Sequence, residues 1–432
     1  MKKLYFGKVN IIGFGLSGKA VYNLLKGYGN SIKIFEHSKL NSKENIKIHY
    51  DAFNSDIYCA DLIVPSPGVS YKILRKFLER NILVLPEIEI GYYNIDKQKS
   101  FLIGITGTNG KTTTSTLIAH LLKHFNSQLY GNVGNAFCNN TREYGVFVLE
   151  LSSFQLSIIR KFKLNCGILL NIEEDHLDWH LNFENYISSK LNIFKNQDER
   201  DFSVLNLDDN KIIKNFKQNL SKVFYFSALN EADCYYKNGK VFLFSREILE
   251  LKNFPNIYGI HNIYNVLAST LAIWCYLKDI ETVKNVLNER LASFKVPEHR
   301  LEFVREINGI KFYNDSKSTN PHSVKYALLN FDKCILIMGG LTKEANFNIL
   351  NDIIKERVRF IVAFGKNKRF FYEKFKEIVD VFEFDDLDSA VKFAFSRSKG
   401  EPILFSPGGS SFDLFKDYKH RGKAFKEIVN KL

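Results

Sequence analysis

The chain has 432 residues, 45% hydrophobic and 25% charged, which are values of a folded globular protein long enough for about three domains. No apolar run approaches the 18 residues of a membrane span. The formal net charge of +13 comes from 60 Lys and Arg against 47 Asp and Glu, but the basic residues are spread along the chain with no block of five or six, which argues against a nucleic-acid partner and leaves a field that draws in small anions.

The opening "MKKLYFGKVNIIGFG" is not a signal peptide, because Lys8 and Asn10 interrupt the would-be apolar region. "VNIIGFG" reads as a strand running into a turn, "KAVYNLLKGYG" as a helix closed by Gly, and "SIKIFE" as a second strand. "ADLIVPSPG" and "ILVLPE" continue the series, so the first region is a βαβ unit with a parallel sheet. Its "GFGLSG", residues 13–18, matches G-x-G-x-x-G between a strand and a helix, with Glu36 about twenty residues on, where an acid meets a ribose hydroxyl. Alone, that pattern suits a nicotinamide dinucleotide, any other nucleotide pyrophosphate, or a tight turn with no ligand.

The second region opens at "SFLIGITG", a buried strand that feeds "TGTNGKTT" and then the helical "STLIAHLLKHF". A Gly-rich turn ending in Lys-Thr at a helix start holds phosphate: backbone N–H groups and the helix N-terminus face the anion, and Lys111 adds charge. The strict P-loop spacing asks for Gly at 105, where this chain has Ile105. Thr112 can reach a bound Mg²⁺, and "YGVFVLELSS" offers Glu150 at a strand end as the metal carboxylate. "LLNIEEDHLDWH" adds Asp175, His176, Asp178 and His180 after another apolar run, and "NYISSKLNIFKN" puts Lys190 on a helix beside Ile187, Leu191 and Phe194. The plain account of Lys190 is a packed stem with its head in water. A third region starts near "FKVPEHRLEFV" and holds "CILIMGG", "RFIVAFG" and "PILFSPGG", three strands each running into a Gly-containing turn. The six cysteines, 59, 138, 166, 234, 275 and 334, form no C-x-x-C pair and read as buried thiols of the cytoplasm.

These motifs in this order resemble the Mur ligase family, the ATP-dependent enzymes that add amino acids to the peptidoglycan precursor. The resemblance spans the whole chain, and it makes the absence of Gly at 105 an expected feature of the loop. Folate polyglutamylating synthetases share that loop. "LELSSFQL", "NDSKSTNP" and "SPGGSSFDLFKDYKHRG" are together most similar to the members that add D-glutamate to UDP-N-acetylmuramoyl-L-alanine, while the D-N-P-R signature of the diaminopimelate-adding members is absent. The fold implied is α/β in three domains: a Rossmann-like UDP-binding domain (1–95), a central P-loop-type ATPase domain with a mainly parallel sheet (96–296), and a Rossmann-like C-terminal domain (297–432) that takes the amino acid.

The resemblance also implies roles. Gly107, Thr108, Asn109, Gly110, Lys111, Thr112 and Thr113 would wrap the ATP phosphates, with Asn262, Asn265, Arg300 and Asp315 on the nucleoside side and Lys317 as a second phosphate-facing lysine. Thr112, Glu150 and His176 would hold magnesium, two ions in all, with Lys190 joining them if carbamylated. Lys111, Glu150, His176, Lys190 and Lys317 make the catalytic set. Gly15, Leu16, Ser17, Glu36, His37, Ser66, Pro67, Gly68, Asn132 and Ser152 would meet the UDP-sugar substrate, and "GFGLSG" becomes a UDP loop. Thr319, Lys343, Ser411 and Tyr418 would surround D-glutamate. Glu344 and Ala345 depart from the Gly common after that lysine, and Glu36-His37 replaces a more usual Asp. The expected partners are thus UDP-N-acetylmuramoyl-L-alanine, D-glutamate and ATP, handled by a monomer with no nucleic acid or membrane. The rivals are another Mur step, a folate-type ligase, a nicotinamide oxidoreductase and a nucleic-acid-dependent ATPase.

Overall fold

The computed structural model describes residues 4–36, 48–49, 55–254, 257, 259–342 and 346–432. They form three sheets. The first has five parallel strands in the order Ile48–His49, Ser31–Phe35, Lys8–Ile12, Leu62–Pro65, Leu83–Val84. Phe101–Thr106 lies inside the second, nine-stranded sheet, between Cys166–Leu169 on one side and Val146–Glu150 on the other, with Gln128–Gly131 at the edge beyond. From Cys166–Leu169 the sheet runs outward through Phe202–Asn206, Lys222–Ser227 and Cys234–Lys237. It ends in two antiparallel strands, Lys240–Leu243 and Arg246–Glu250. The third sheet orders six strands as Glu302–Ile307, Ile310–Asn314, Ile403–Gly408, Cys334–Gly339, Val358–Phe364, Asp380–Phe384, antiparallel only at its first pair.

Continuous burial along Val146–Glu150, Cys166–Leu169 and Cys334–Gly339 follows from their near-continuous apolar sequences, since parallel strands are covered on both faces. Five of the six cysteines are buried thiols and Cys59 is exposed. Among the described residues no helix is long and apolar enough to cross a membrane.

The chain divides into two compact units, Met1–Phe254 with Tyr264–Phe294, and Pro255–Ile263 with Lys295–Leu432. The first unit therefore contains both the first and second sheets, and the helix Glu87–Tyr93 is the seam between them. Ile88 and Tyr92 enter the core that holds Phe137 and Phe162. On the same helix, the buried Glu89 carboxylate accepts the N–H groups of Arg160 and Lys161 at 2.7 and 2.6 Å and the Tyr93 hydroxyl at 3.0 Å. A buried carboxylate needs such donors. Glu87 accepts the Cys138 N–H at 2.5 Å, and burial lifts its carboxyl to about 7.

Local packing sets the entrance to the first sheet. Gly18 lies in the helix Leu16–Leu25, so close to the preceding turn that a Cβ there would sit 2.1 Å from the Gly13 carbonyl oxygen. The obstacle is backbone and cannot rotate away. Gly18→Ala should destabilise this unit by about 1–3 kcal/mol, the usual range for overpacking, as a lowered urea midpoint at unchanged slope. An unchanged midpoint would contradict this packing.

Candidate active site

The strand Phe101–Thr106 ends where the loop 107–110 turns into the helix Lys111–Leu121. Ile105 is fully buried and pairs with Glu150 and Ile168, so the position that a strict P-loop gives to Gly belongs here to the strand. Gly110 caps the helix with φ +85°, and a Cβ on it would meet Asn265 Oδ1 at 2.7 Å, so both conformation and space require glycine.

The loop is held from three sides. Asn171, just beyond the strand Cys166–Leu169, accepts the Thr108 N–H on its carbonyl at 3.0 Å and the Asn109 N–H on its side-chain oxygen at 2.8 Å, and its amide donates to the Asn109 carbonyl at 3.1 Å. Tyr186 OH lies 3.0 Å from Thr108 Oγ1, and burial raises its phenol well above the usual range. The Gly107 carbonyl accepts from two lysines, Lys111 Nζ at 2.7 Å and Lys190 Nζ at 2.8 Å, and Lys111 also donates to the Thr108 carbonyl at 2.9 Å. Lys190 is 2% exposed and its head does not reach water, which corrects the expectation of a solvated ammonium. Burial first, and the neighbouring Lys111 second, hold its amine well below the usual lysine range. Of the next two loop residues, Thr113 is buried and Thr112 half-buried at the helix start.

Glu150 ends the next strand. Its Oε1 accepts from Asn132 Nδ2 at 3.0 Å, and its Oε2 is buried with no hydrogen-bond partner among the described residues. An unsatisfied buried carboxylate oxygen is costly, and a divalent cation is the group that such an oxygen fits. Ser152 closes a capping box with Gln155. His176 occupies the left-handed region at φ 55°, a conformation costing about 1–3 kcal/mol, at the start of the one-turn helix Leu177–His180. Its ring packs on Phe154 at 4.8 Å, and Nε2 lies 3.5 Å from Asp175. Among the described residues no three His, Cys, Asp or Glu side chains stand together as a metal-holding group, so Glu150 and His176 could supply only part of a coordination shell.

In the first sheet, the Glu36 carboxylate accepts the Phe14 N–H at 2.7 Å, which ties the end of the second strand to the glycine turn. Ser66 Oγ donates to the Gly13 carbonyl at 3.1 Å; Gly15, Leu16 and Gly68 are exposed, while Ser17 and Pro67 are half-buried. His37 lies outside the described residues.

The second unit carries another polar edge. Asp315 is buried and accepts from the Leu301 N–H at 3.1 Å, from Ser406 Oγ at 2.8 Å and from Ser318 Oγ, and burial lifts its carboxyl to about 6. Lys317 Nζ sits 4.0 Å above the Tyr418 ring. Behind them the fully buried Arg421 donates to Ser316 Oγ (3.1 Å), the Ser316 carbonyl (2.8 Å) and the Gly409 carbonyl (2.9 Å), so it joins the loop bearing Lys317 and the half-buried Thr319 to the loop bearing buried Ser411. Burial brings its guanidinium down to about 10. Arg300 lies beside His261, whose imidazole burial pulls down to about 4. Lys343, with Glu344 and Ala345, lies outside the described residues. Asn262 belongs to this unit; Asn265 belongs to the first, where its Oδ1 accepts from Thr114 at 3.0 Å.

The first unit thus brings Lys111 and Lys190 together on the Gly107 carbonyl, puts Glu150 at the end of the adjoining strand, and leaves His176 in the segment after Cys166–Leu169. Asn171, Tyr186 and Arg421 escaped the sequence reading. Only the position of Asn171 just after an apolar strand could have flagged it.

Residues 105–273 match the Mur ligase middle domain and residues 299–409 the Mur ligase glutamate ligase domain. The chain is 37% identical to the UDP-N-acetylmuramoylalanine–D-glutamate ligase of Caldicellulosiruptor saccharolyticus over 99% of its length and 100% of the relative's. It is also 37% identical to the ligase of the same name from Aquifex aeolicus, with 98% of each chain covered. Among solved structures it is similar in fold to the UDP-N-acetylmuramate-alanine ligase of Thermotoga maritima (TM-score 0.61, 20% identity, 98% and 99% of the two chains covered). A pseudomurein peptide ligase type C from Methanothermus fervidus gives a TM-score of 0.60 at 18% identity, with the same coverage. With both domains matched and relatives this similar from end to end, the chain belongs to the Mur ligase family.

Proposed function

We propose that this protein adds D-glutamate to UDP-N-acetylmuramoyl-L-alanine with ATP, through an acyl phosphate, releasing ADP and phosphate. The full-length relatives carrying that activity in their names favour this substrate over another Mur step or a folate-type ligase. The chemistry rests on one observation: two lysines converge on the Gly107 carbonyl, just beyond the strand that pairs with the one ending in Glu150. That arrangement suits phosphoryl transfer between anions. A hydride-transfer enzyme would have no use for it.

A carboxylate does not form an amide directly, because its carbon is shielded by charge and oxide is a poor leaving group. Transfer of the ATP γ-phosphoryl to the L-alanine carboxylate breaks the bond to the β-phosphate bridging oxygen and forms a C–O–P bond, giving an acyl phosphate with a good leaving group. The amine of D-glutamate then attacks the carbonyl carbon, loses a proton and expels phosphate. The loop 107–113 orients the ATP phosphates with backbone N–H groups, and Lys111 turns from its own loop carbonyls to the transferred group. Lys317 acts as a second phosphate-facing cation. Such fixed charges are a large part of phosphoryl-transfer catalysis.

Glu150, His176 and the Thr112 hydroxyl would hold magnesium, and the orphaned Glu150 oxygen fits that role. Bound there, two magnesium ions would neutralise the charge on the phosphates. The depressed amine of Lys190 is the form that takes up CO₂, so we infer that it becomes a carbamate and adds a carboxylate-like ligand. Asn132 and Ser152 face the sugar-peptide substrate, with Gly15, Leu16, Ser17, Glu36, His37, Ser66, Pro67 and Gly68 on its uridine diphosphate. Asn262, Asn265, Arg300 and Asp315 attend the ATP nucleoside. Thr319, Lys343, Ser411 and Tyr418 receive D-glutamate. The three regions 1–95, 96–296 and 297–432 each bring one substrate, and the protein works as a cytoplasmic monomer.

The substrate assignment predicts ADP release from UDP-N-acetylmuramoyl-L-alanine with D-glutamate, and rates at least about 100-fold lower with L-glutamate, L-lysine or diaminopimelate. Equal rates with any of these would overturn it. Lys111→Ala should cut turnover by at least about 1,000-fold while circular dichroism and melting temperature stay near wild type; retained turnover would remove the phosphate role. Lys190→Ala should lose activity and recover part of it in millimolar acetate or formate, which could stand in for a carbamate. Absence of recovery would reduce Lys190 to a brace of the loop.

A further inference from the structure

His180 is not needed by the scheme above, yet it is placed where two of its elements meet. It is 3% exposed, at the end of the one-turn helix that begins after His176. Its ring stacks on Phe154 (5.6 Å, 8° between planes) and meets the edges of Trp179 at 4.5 Å and Tyr186 at 5.2 Å. Nε2 lies 2.9 Å from Ser153 Oγ, and Nδ1 lies 3.3 Å from Ser189 Oγ.

The hydrogen bonds fix the tautomer. Ser189 gives its hydroxyl proton to the Asn185 carbonyl at 2.7 Å, so toward His180 it can only accept. Nδ1 therefore carries the proton and Nε2 is the bare nitrogen, which accepts from the Ser153 hydroxyl. In this tautomer each serine hydroxyl has a partner on the ring.

Ser153 lies three residues after Glu150, at the start of the short helix Ser153–Leu156. Ser189 precedes Lys190 on the helix Phe183–Leu191, the helix whose Tyr186 and Lys190 grip the phosphate loop. We infer that His180 is a positioning residue that clamps the Glu150 strand end to the Lys190 helix and so fixes the separation of the groups proposed to share the metal. The clamp touches no substrate. It acts through Ser153 and Ser189, and its value lies in geometry, because misplacing a catalytic group by about 1 Å costs on the order of 100-fold in rate.

This inference rests on the ligase reading, and the test separates the two. Wild type and His180→Phe are assayed with UDP-N-acetylmuramoyl-L-alanine, D-glutamate and ATP. Their affinity for ADP is measured by calorimetry with and without Mg²⁺. Phe keeps the ring stacking and loses both hydrogen bonds. The expected result is a kcat lower by about 10- to 100-fold, KM values for all three substrates within about threefold of wild type, and a loss of most of the Mg²⁺-dependent gain in ADP affinity, with metal-free ADP binding unchanged. Ser153→Ala and Ser189→Ala each remove one bond and should give smaller losses of the same kind, and they carry the test if His180→Phe fails to fold. His180→Gln, which can keep one bond, should recover part of kcat. A kcat within twofold of wild type in His180→Phe, or in both serine variants, overturns the clamp, as does a rise in KM with kcat intact. If wild type itself releases no ADP from these substrates, the ligase reading fails and the Mg²⁺-dependent ADP affinity alone decides the role of His180.

Discussion

The loop 107–110 of the first unit is anchored by the Gly107 carbonyl. Its oxygen takes two lysine head groups at 2.7 and 2.8 Å, and one of them, Lys190, is buried nearly completely. Putting an amine there is unfavourable if it is charged, because burial and the adjacent Lys111 both oppose the ammonium. The same placement favours the uncharged, nucleophilic form of the amine. A single backbone oxygen therefore joins the loop to the helix Phe183–Leu191.

That oxygen is where it is because three parallel strands end together. Strands buried on both faces leave side chains free to serve a ligand only beyond their carboxyl ends. Phe101–Thr106, Val146–Glu150 and Cys166–Leu169 are neighbours in the sheet, so their following residues, 107–110, 151–153 and 170–176, converge without help from distant sequence. Polar side chains then complete the frame: Asn171 grips the loop backbone, Tyr186 its Thr108 hydroxyl, and Asn132 one oxygen of Glu150. The other oxygen has no hydrogen-bond partner among the described residues, and that asymmetry is what supports the proposal of a cation there.

The second unit repeats the arrangement by different means. Its strands Ile310–Asn314, Ile403–Gly408 and Cys334–Gly339 also lie side by side, and the loops that follow them meet around Arg421. A buried guanidinium bonded to carbonyls and a hydroxyl can hold loops in register, since its donors point in a fixed fork. Asp315 is the counterpart on the acid side, with both oxygens satisfied by the frame. In each unit a buried basic side chain, Lys190 or Arg421, holds the loops through backbone carbonyls.

Much of this was legible in the sequence. Apolar runs ending in glycine mark the strands, and "TGTNGKTT" and "GFGLSG" mark the two glycine turns, because both depend on local backbone conformation and residue type. Glu150 and His176 could be picked out because each follows an apolar run. What local pattern cannot carry is which distant side chains meet. Lys190 reads as a surface lysine on its helix, and only the packing of that helix against the loop drives its head into the protein. Asn171, Tyr186, His180 and Arg421 act through partners up to 105 residues away in sequence. Residue identity and spacing determined the family, the strands and the glycine turns; burial and long-range hydrogen bonding decided which polar groups are desolvated, which are paired and which have no partner among the described residues, because desolvation and partner geometry exist only once the chain has folded.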